Sequence, residues 1–418
     1  MKEKRRAVIT GTGAICSLGR NVEEIWASIV AKRVGYALTE LTDKRVNAKF
    51  FGLIDERVAA AECRGFPRGL IRMLSGFGRY AAIASREALK QAFGDDGPLR
   101  HYEAPECGVI VGTGWGGLDS ANTNNNEYVR SGFSSPFSTI MSMNNLATAT
   151  LTVLYKLRGY QNTPVAACAS GAIAIGEAAR VICDGHADFM LAGGSESLRE
   201  IFNVWSIDVL EALTKEQKDV TKACCPFSLD RSGFVLSEGA ALVCVEELEA
   251  ARRRGARILG EVTAYRNYSD AHDFTAPAPD SIGRTSVIAR SLEDARCKPE
   301  QIDYINAHGT STPLNDYYES EAIKSTFGEA SRRVPISSTK SYTGHLIGAA
   351  GALETVFCLK AMETGLVPAT INLARPDPKC DLDYVPNEHR TNQKVDRCLN
   401  LSFGFGGANA ALVLERAG

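Results

Sequence analysis

Apolar and polar positions alternate along the chain as short apolar runs followed by stretches of helical period. The stretch around which the rest is arranged is 164–185. Its apolar run to Ala167 predicts a strand, Cys168 to Gly171 a turn, and Ala172, Ile173, Ile175, Ala178, Ala179 and Ile182 a helix closed by Asp184-Gly185. Upstream, the pattern predicts a strand at 8–10 turning at Gly11-Thr12-Gly13, and an amphipathic helix over 78–93. A buried strand at 107–111 runs into the glycine-rich 112–117, followed by a polar surface excursion at 119–136 and a helix at 144–157. Downstream lie a strand at 189–192, a polar loop at 214–224, a strand at 240–245 and a helix at 246–254. Beyond Gly255 the pattern starts again, with strands at 259–264, 304–307, 334–337, 399–402 and 410–414. Helices near 281–295, 315–327 and 347–364 separate them. Strands alternating with helices predict an α/β fold with mostly parallel sheets.

The two parts echo each other. PVAACASGAIAIGEAA (164–179) and PISSTKSYTGHLIGAAGALE (335–354) each read as a strand, a small polar turn and an Ala/Gly-rich helix. The spacing is far longer than a solenoid period and implies a duplicated domain, with halves 1–255 and 256–418 and a site between them. Ala/Gly-rich helices pack closely and belong at the centre.

Composition narrows the picture by exclusion. A net charge of −2 over 418 residues gives no electrostatic case for nucleic acid or membrane. No run approaches the ~18 apolar residues of a membrane span. The opening Met1 to Arg6 is basic, but Gly11 and Gly13 interrupt the apolar run behind it, so it reads as a strand and not an export signal. The twelve cysteines show no C-x-x-C pair, which fits free thiols in a reducing cytoplasm; the adjacent Cys224 and Cys225 read as structural.

Candidate chemistry sits in four turns. Cys168, at a strand-to-helix turn, stands at the positive end of a helix dipole, which favours thiolate over thiol. A buried structural cysteine is the bland alternative. His308 leaves an apolar strand into Gly309-Thr310-Ser311-Thr312. Lys340 and His345 share the turn before the second Ala/Gly helix, where Glu354 is a potential ion partner for the lysine. Phe403-Gly404-Phe405-Gly406-Gly407 is a glycine-aromatic hinge able to set a backbone N–H beside a reacting carbonyl. A cysteine, two histidines, a lysine and a hinge, all at strand C-termini, are jointly far more specific than each alone.

In these motifs and their order, from VITGTGAICSLG through ACASG, GFVLSEGAAL, NAHGTSTPLND and SSTKSYTGHLIGAAGALE to LSFGFGGANAAL, the chain resembles the elongating β-ketoacyl-[acyl-carrier-protein] synthases. The resemblance implies a duplicated thiolase-like α/β fold. It implies an acyltransferase that joins malonyl carrier protein, with loss of carbon dioxide, to an acyl chain held on Cys168. It further implies His308 and His345 as Nε2–H donors to the enolate oxygen, and the N–H groups of Cys168 and Phe405 as an oxyanion hole. Lys340 would orient the histidines, Thr310 and Thr312 would hold the pantetheine arm, and Phe405 would gate the site. No resident cofactor is implied, since phosphopantetheine belongs to the carrier protein. The implied partners are that carrier, with its acyl and malonyl thioesters, and a second subunit, either a copy of the chain or a chain-length-factor-like protein.

Several residues depart from the fatty-acid pattern. Trp115 stands in the loop bordering the acyl pocket, Ile207 and Ser138 fall at the pocket wall or subunit contact, and Glu211 falls where a basic residue tends to meet the carrier. Cys225 precedes Pro226-Phe227 where an arginine is usual. These favour, as the alternative, a specialised polyketide or polyene synthase working with a chain-length factor. Two further readings are weaker. Gly112, Gly114 and Gly117 match a dinucleotide-binding G-x-G-x-x-G, but no helix is expected to open there. A thiolase would carry a second cysteine in the terminal glycine motif, and residues 401–409 have none.

Overall fold

The computed structural model describes residues 5–39 and 44–417; of the basic opening, only Arg5 and Arg6 fall within it. Ten strands build one sheet: β1 (Ala7–Cys16), β2 (Cys107–Gly112), β3 (Gln161–Asn162), β4 (Phe189–Glu196), β5 (Gly239–Glu247), β6 (Gly260–Ser269), β7 (Tyr304–Asn306), β8 (Ile336–Ser337), β9 (Arg397–Gly404) and β10 (Ala408–Glu415). Their order is β8-β7-β9-β10-β6-β1-β5-β4-β2-β3. The sheet is mixed and not mostly parallel. Its two outermost pairings at each edge are parallel and the central ones antiparallel. Helical crossovers do join the parallel strands, but β1 pairs with β5, more than two hundred residues on, and local periodicity carries no sign of that partner.

The duplication is visible in the topology. The series β1-β5-β4-β2-β3 and β6-β10-β9-β7-β8 have the same order of antiparallel and parallel pairings, and meet only where Val8 and Ile9 face Glu261 and Gly260. At the centre, helices α3 (Ser170–Cys183) and α7 (Ala350–Thr364) pack at their small residues. A Cβ on Gly171 would lie 2.7 Å from Gly348 O, and one on Gly351 would lie 2.9 Å from Ala172 Cβ. Each helix is entered through a 3-10 turn, Ala167–Ala169 and Ile347–Ala349, whose first residue has positive φ (47° and 49°).

Three local expectations change. Gly11 and Gly13 do not turn the chain, because β1 runs through them; a Cβ at Gly13 would lie 2.1 Å from Ala84 O, so the glycines admit helix α1 (Gly76–Phe93) against the strand. The approach to Cys168 is not a strand: pairing stops at Asn162, and Pro164 has no N–H to continue it. The polar stretch after Gly117 is helix α2 (Leu118–Ser131), capped by left-handed Gly132. Only Asn124 of it is buried, so it has no apolar period to read. Among the described residues, no helix is long and apolar enough to cross a membrane, and all twelve cysteines are free.

Candidate active site

The ends of β7, β8 and β9 and the entry to α3 converge on one buried point. Ligand atoms of Cys168, His308 and His345 all lie within 4.8 Å of one another. The imidazole rings meet edge to face at 5.3 Å, His345 is flanked by Phe234 at 5.1 Å, and His308 by Phe403 at 5.9 Å.

Hydrogen bonds set the imidazole tautomers. Ile347 N–H donates to His345 Nδ1 (3.2 Å), which leaves the ring proton on Nε2, and that Nε2 has no partner. The Lys340 ammonium lies 3.3 Å from His308 Nδ1 and donates to His308 O at 2.7 Å. An ammonium only donates, so His308 also carries its proton on Nε2. Burial first, then the Lys340 charge, pushes both imidazoles well below the ordinary histidine value, keeping them neutral. Lys340 is held by an ion pair with Glu354, the potential partner on the helix that follows it. Glu319 receives the N–H groups of His308 (2.7 Å) and Gly309 (2.8 Å) and fixes the turn that carries the first histidine.

Cys168 departs from expectation. Its thiol is pushed up to about 12, because burial outweighs the Lys340 charge and the N–H groups of Phe405 and of Cys168 itself. The cysteine lies in the 3-10 turn before α3, not on the first turn of the helix, and its resting form is the thiol. The same two N–H groups that offset burial are the expected oxyanion donors. The end of β9 is close enough to supply one of them: a Cβ on Gly404 would lie 3.1 Å from Cys168 N.

From this point a cleft of about 340 Å³ leads to solvent between Phe234, Phe405, Thr310 and Thr312, with Glu211 and Lys215 at its mouth. The Thr310 and Thr312 hydroxyls are 2.9 Å apart on one wall. Trp115 and Ile207 do not line this cleft. They pack in an apolar cluster with Cys168, Phe234, Ile347 and Phe405, Ile207 from helix α4 (Ile201–Asp208). Ser138 begins a short helix, Ser138–Ser142, away from the cleft. Glu211 is exposed and paired with Lys215 at 2.6 Å. Cys225 N–H bonds Ser311 Oγ (3.0 Å), a structural role.

Two groups had no visible motif. Glu196, at the end of β4, accepts from Gly114 N (2.6 Å), Thr113 Oγ1 (3.1 Å) and Gly348 N (3.2 Å), tying the Trp115 loop to the His345 turn. A carboxylate closing an apolar strand was its only sign. It also disposes of the dinucleotide reading on a better ground than the one expected: a helix does open at Leu118, but the loop N–H groups that would cradle a phosphate already hold Glu196. The second is Arg284, buried beside Phe403 in the cleft wall.

A thiol, two neutral imidazoles and the N–H groups of Cys168 and Phe405 thus meet around one buried point. Residues 4–251 match the beta-ketoacyl synthase N-terminal domain and residues 259–374 its C-terminal domain. The chain is 41% identical over 419 residues to a 3-oxoacyl-[acyl-carrier-protein] synthase 2 of Coxiella burnetii, and 38% identical over 417 residues to that of a Synechocystis species; each match covers 99% of both proteins. Among solved structures it superposes with a TM-score of 0.90, at 30% identity, on a type II PKS ketosynthase in complex with its acyl-carrier protein, covering 100% of both chains. The ishigamide ketosynthase/chain length factor matches with the same score, identity and coverage. The chain belongs to the β-ketoacyl synthases, carbon–carbon bond-forming acyltransferases of thiolase-like fold.

Proposed function

We propose that Cys168 holds the growing acyl chain and that the histidine pair acts on the malonyl thioester. In the first half-reaction Cys168 Sγ attacks the carbonyl of an acyl carrier-protein thioester. The N–H groups of Cys168 and Phe405 receive the tetrahedral oxyanion. Because the thiol is protonated at rest, its proton leaves with the sulfur it displaces: the Cys168 S–C bond forms, the pantetheine S–C bond breaks, and the pantetheine thiol carries the proton away. In the second, malonyl carrier protein places its thioester oxygen between the two Nε2–H groups. The bond to the carboxyl carbon breaks, carbon dioxide departs, and the electron pair becomes an enolate held by both imidazoles. The enolate carbon attacks the acyl carbonyl, expelling Cys168, which takes up one proton. Neutral imidazoles suit this step, because an enolate needs donors that do not quench it. Lys340 and Glu354 act as positioning residues through His308.

The observation that carries the reading is the pair of Nδ1 acceptors that leaves both Nε2–H groups facing one point beside Sγ. Thr310 and Thr312 then line the path of the pantetheine arm. The test is intact mass of the protein after mixing with acyl carrier protein, followed by measurement of carbon dioxide released on adding malonyl carrier protein. An acyl mass on Cys168 and carbon dioxide release are expected; an acyl mass on another residue would reassign the first half-reaction, and no release would overturn the second.

The working form is proposed as a two-subunit assembly in the cytoplasm. Free thiols and an exposed apolar face support this, and a copy of the chain or a chain-length-factor-like subunit would cover that face. A second reading, synthesis of a polyketide or polyene instead of a saturated fatty acid, rests on one observation: Trp115 and Ile207 crowd the apolar side of Cys168, where a long saturated chain would need room.

A further inference from the structure

Among the described residues, Arg284 is the one charged side chain on the cleft wall that the reaction above leaves unused and that is nine-tenths or more buried. It is 5% exposed, on the first turn of α5 (Ile282–Asp294). Its guanidinium lies 4.4 Å over the ring of Phe403, which in turn meets His308 edge-on. One nitrogen donates to Asn315 O at 3.2 Å, and Nε has no partner. Among the described residues no carboxylate forms an ion pair with it. Asp270, Asp316 and Glu319 are the nearest negative charges, and each is engaged elsewhere: Asp270 with Asn409 (2.7 Å), Asp316 with Phe227 N (2.8 Å) and Glu319 with the His308 turn.

A buried guanidinium without a carboxylate is costly, and proteins normally pair one. The cost shows as a lowered affinity of Arg284 for its proton, caused by burial and only partly offset by those three acids. The free protein therefore holds an uncompensated cation at the depth of the histidines, in a cleft that two thioesters visit in turn. The arm's phosphate is common to both thioesters, but it stays a full pantetheine length from the reacting carbonyl, near the mouth. A saturated acyl group has no charge. Only the extender brings an anion to the inner end.

We infer that Arg284 receives the carboxylate of the malonyl thioester and selects the anionic extender over neutral acyl groups in the second half-reaction. This rests on the function proposed above. The unpartnered Nε–H gives a carboxylate oxygen a donor, and the Phe403 ring beneath the guanidinium holds it in the cleft wall, leaving the thioester oxygen to His308 and His345. A charge-assisted hydrogen bond in a buried site corresponds to about tenfold to a hundredfold in affinity.

The test compares wild type with Arg284→Met, which keeps the unbranched apolar stem and removes the charge, and Arg284→Lys, which keeps the charge. Carbon dioxide release is followed against malonyl carrier-protein concentration, acylation of Cys168 is followed by intact mass, and the neutral malonamyl carrier protein serves as competitor. The expected result is a KM for malonyl carrier protein raised about tenfold or more in Arg284→Met, partial rescue by Arg284→Lys, and loss of the preference for malonyl over malonamyl. Acylation of Cys168 reports that each variant is folded. Parallel losses for acyl and malonyl thioesters would overturn the proposal in favour of an arm contact or a packing role, as would an unchanged malonyl preference. A wild type that never releases carbon dioxide fails the underlying function instead.

Discussion

At the scale of single residues, the site depends on what burial does to ionisation. The Cys168 thiol is pushed up to about 12, so its thiolate fraction should rise about tenfold per pH unit across the accessible alkaline range. Alkylation by iodoacetamide, mapped by mass spectrometry, is expected to climb from pH 7 to 10 without a plateau; a plateau near neutrality would mean that the Cys168 and Phe405 N–H groups and Lys340 outweigh burial after all. Cys168→Ala should abolish acylation but leave the enolate-stabilising groups in place. The histidines shift the other way. A depressed imidazole value means that the neutral form persists as pH falls, so decarboxylation should stay level down to about pH 5.5, below the ordinary value of about 6.5. An acid limb centred on that value would show normally titrating rings. His308→Ala and His345→Ala should each lower decarboxylation about 10²–10³-fold, the effect of one lost oxyanion donor, while retaining acyl transfer.

At the scale of elements, the paired turns explain how much could be read before the structure. Ala/Gly-rich helices behind Cys168 and His345 declare themselves by period and small side chains, and they are α3 and α7, packed through Gly171 and Gly351. His308 and the Phe405 hinge announce themselves as polar or glycine-rich interruptions of apolar strands. Groups that act by filling another element's hydrogen bonds do not: Glu196 and Arg284 sit in unremarkable contexts, and only the fold shows what faces them. The same holds for the strand before Cys168, erased by a proline and a positive-φ residue. Trp115 lies between these cases. Its loop was readable, but its direction is set by Glu196, which holds its N–H at 3.3 Å and turns the indole into the apolar cluster behind Cys168. Trp115→Ala should therefore open space there and shift acylation of Cys168 toward longer saturated chains, each added buried methylene contributing up to ~0.8 kcal/mol. Competition among short, polyenoyl and long saturated acyl carrier proteins checks this; an unchanged chain preference would show that the indole does not bound the acyl chain.

At the scale of the whole molecule, duplication places the chemistry at the seam: the first half contributes Cys168, the second both histidines, the lysine and the hinge, and Glu196 binds the two across it. What the two halves leave open is the far side of the first. Tyr128, Val129, Phe133, Ile140 and Met143, on and after α2, are apolar and well exposed, Val129 by 77% and Phe133 by 70%. The α2 helix earns little stability from its own burial, since only Asn124 is covered, and a polar helix flanked by exposed aromatics is what remains when a partner surface is removed. The purified chain is expected to have twice its 45.0 kDa mass by light scattering. Val129→Asp with Phe133→Asp should return it to one chain, because two buried charges without partners oppose association by several kcal/mol. The site sits away from this face but its apolar cluster leans on α4, which touches α2 through Asn203 and Asn122 (2.5 Å), so the single chain should also lose acylation of Cys168 by long chains before it loses acetylation. A wild type that is monomeric and gains activity only on adding a chain-length-factor-like subunit would assign the same face to a different partner; a fully active monomer would leave the apolar face without a role in condensation.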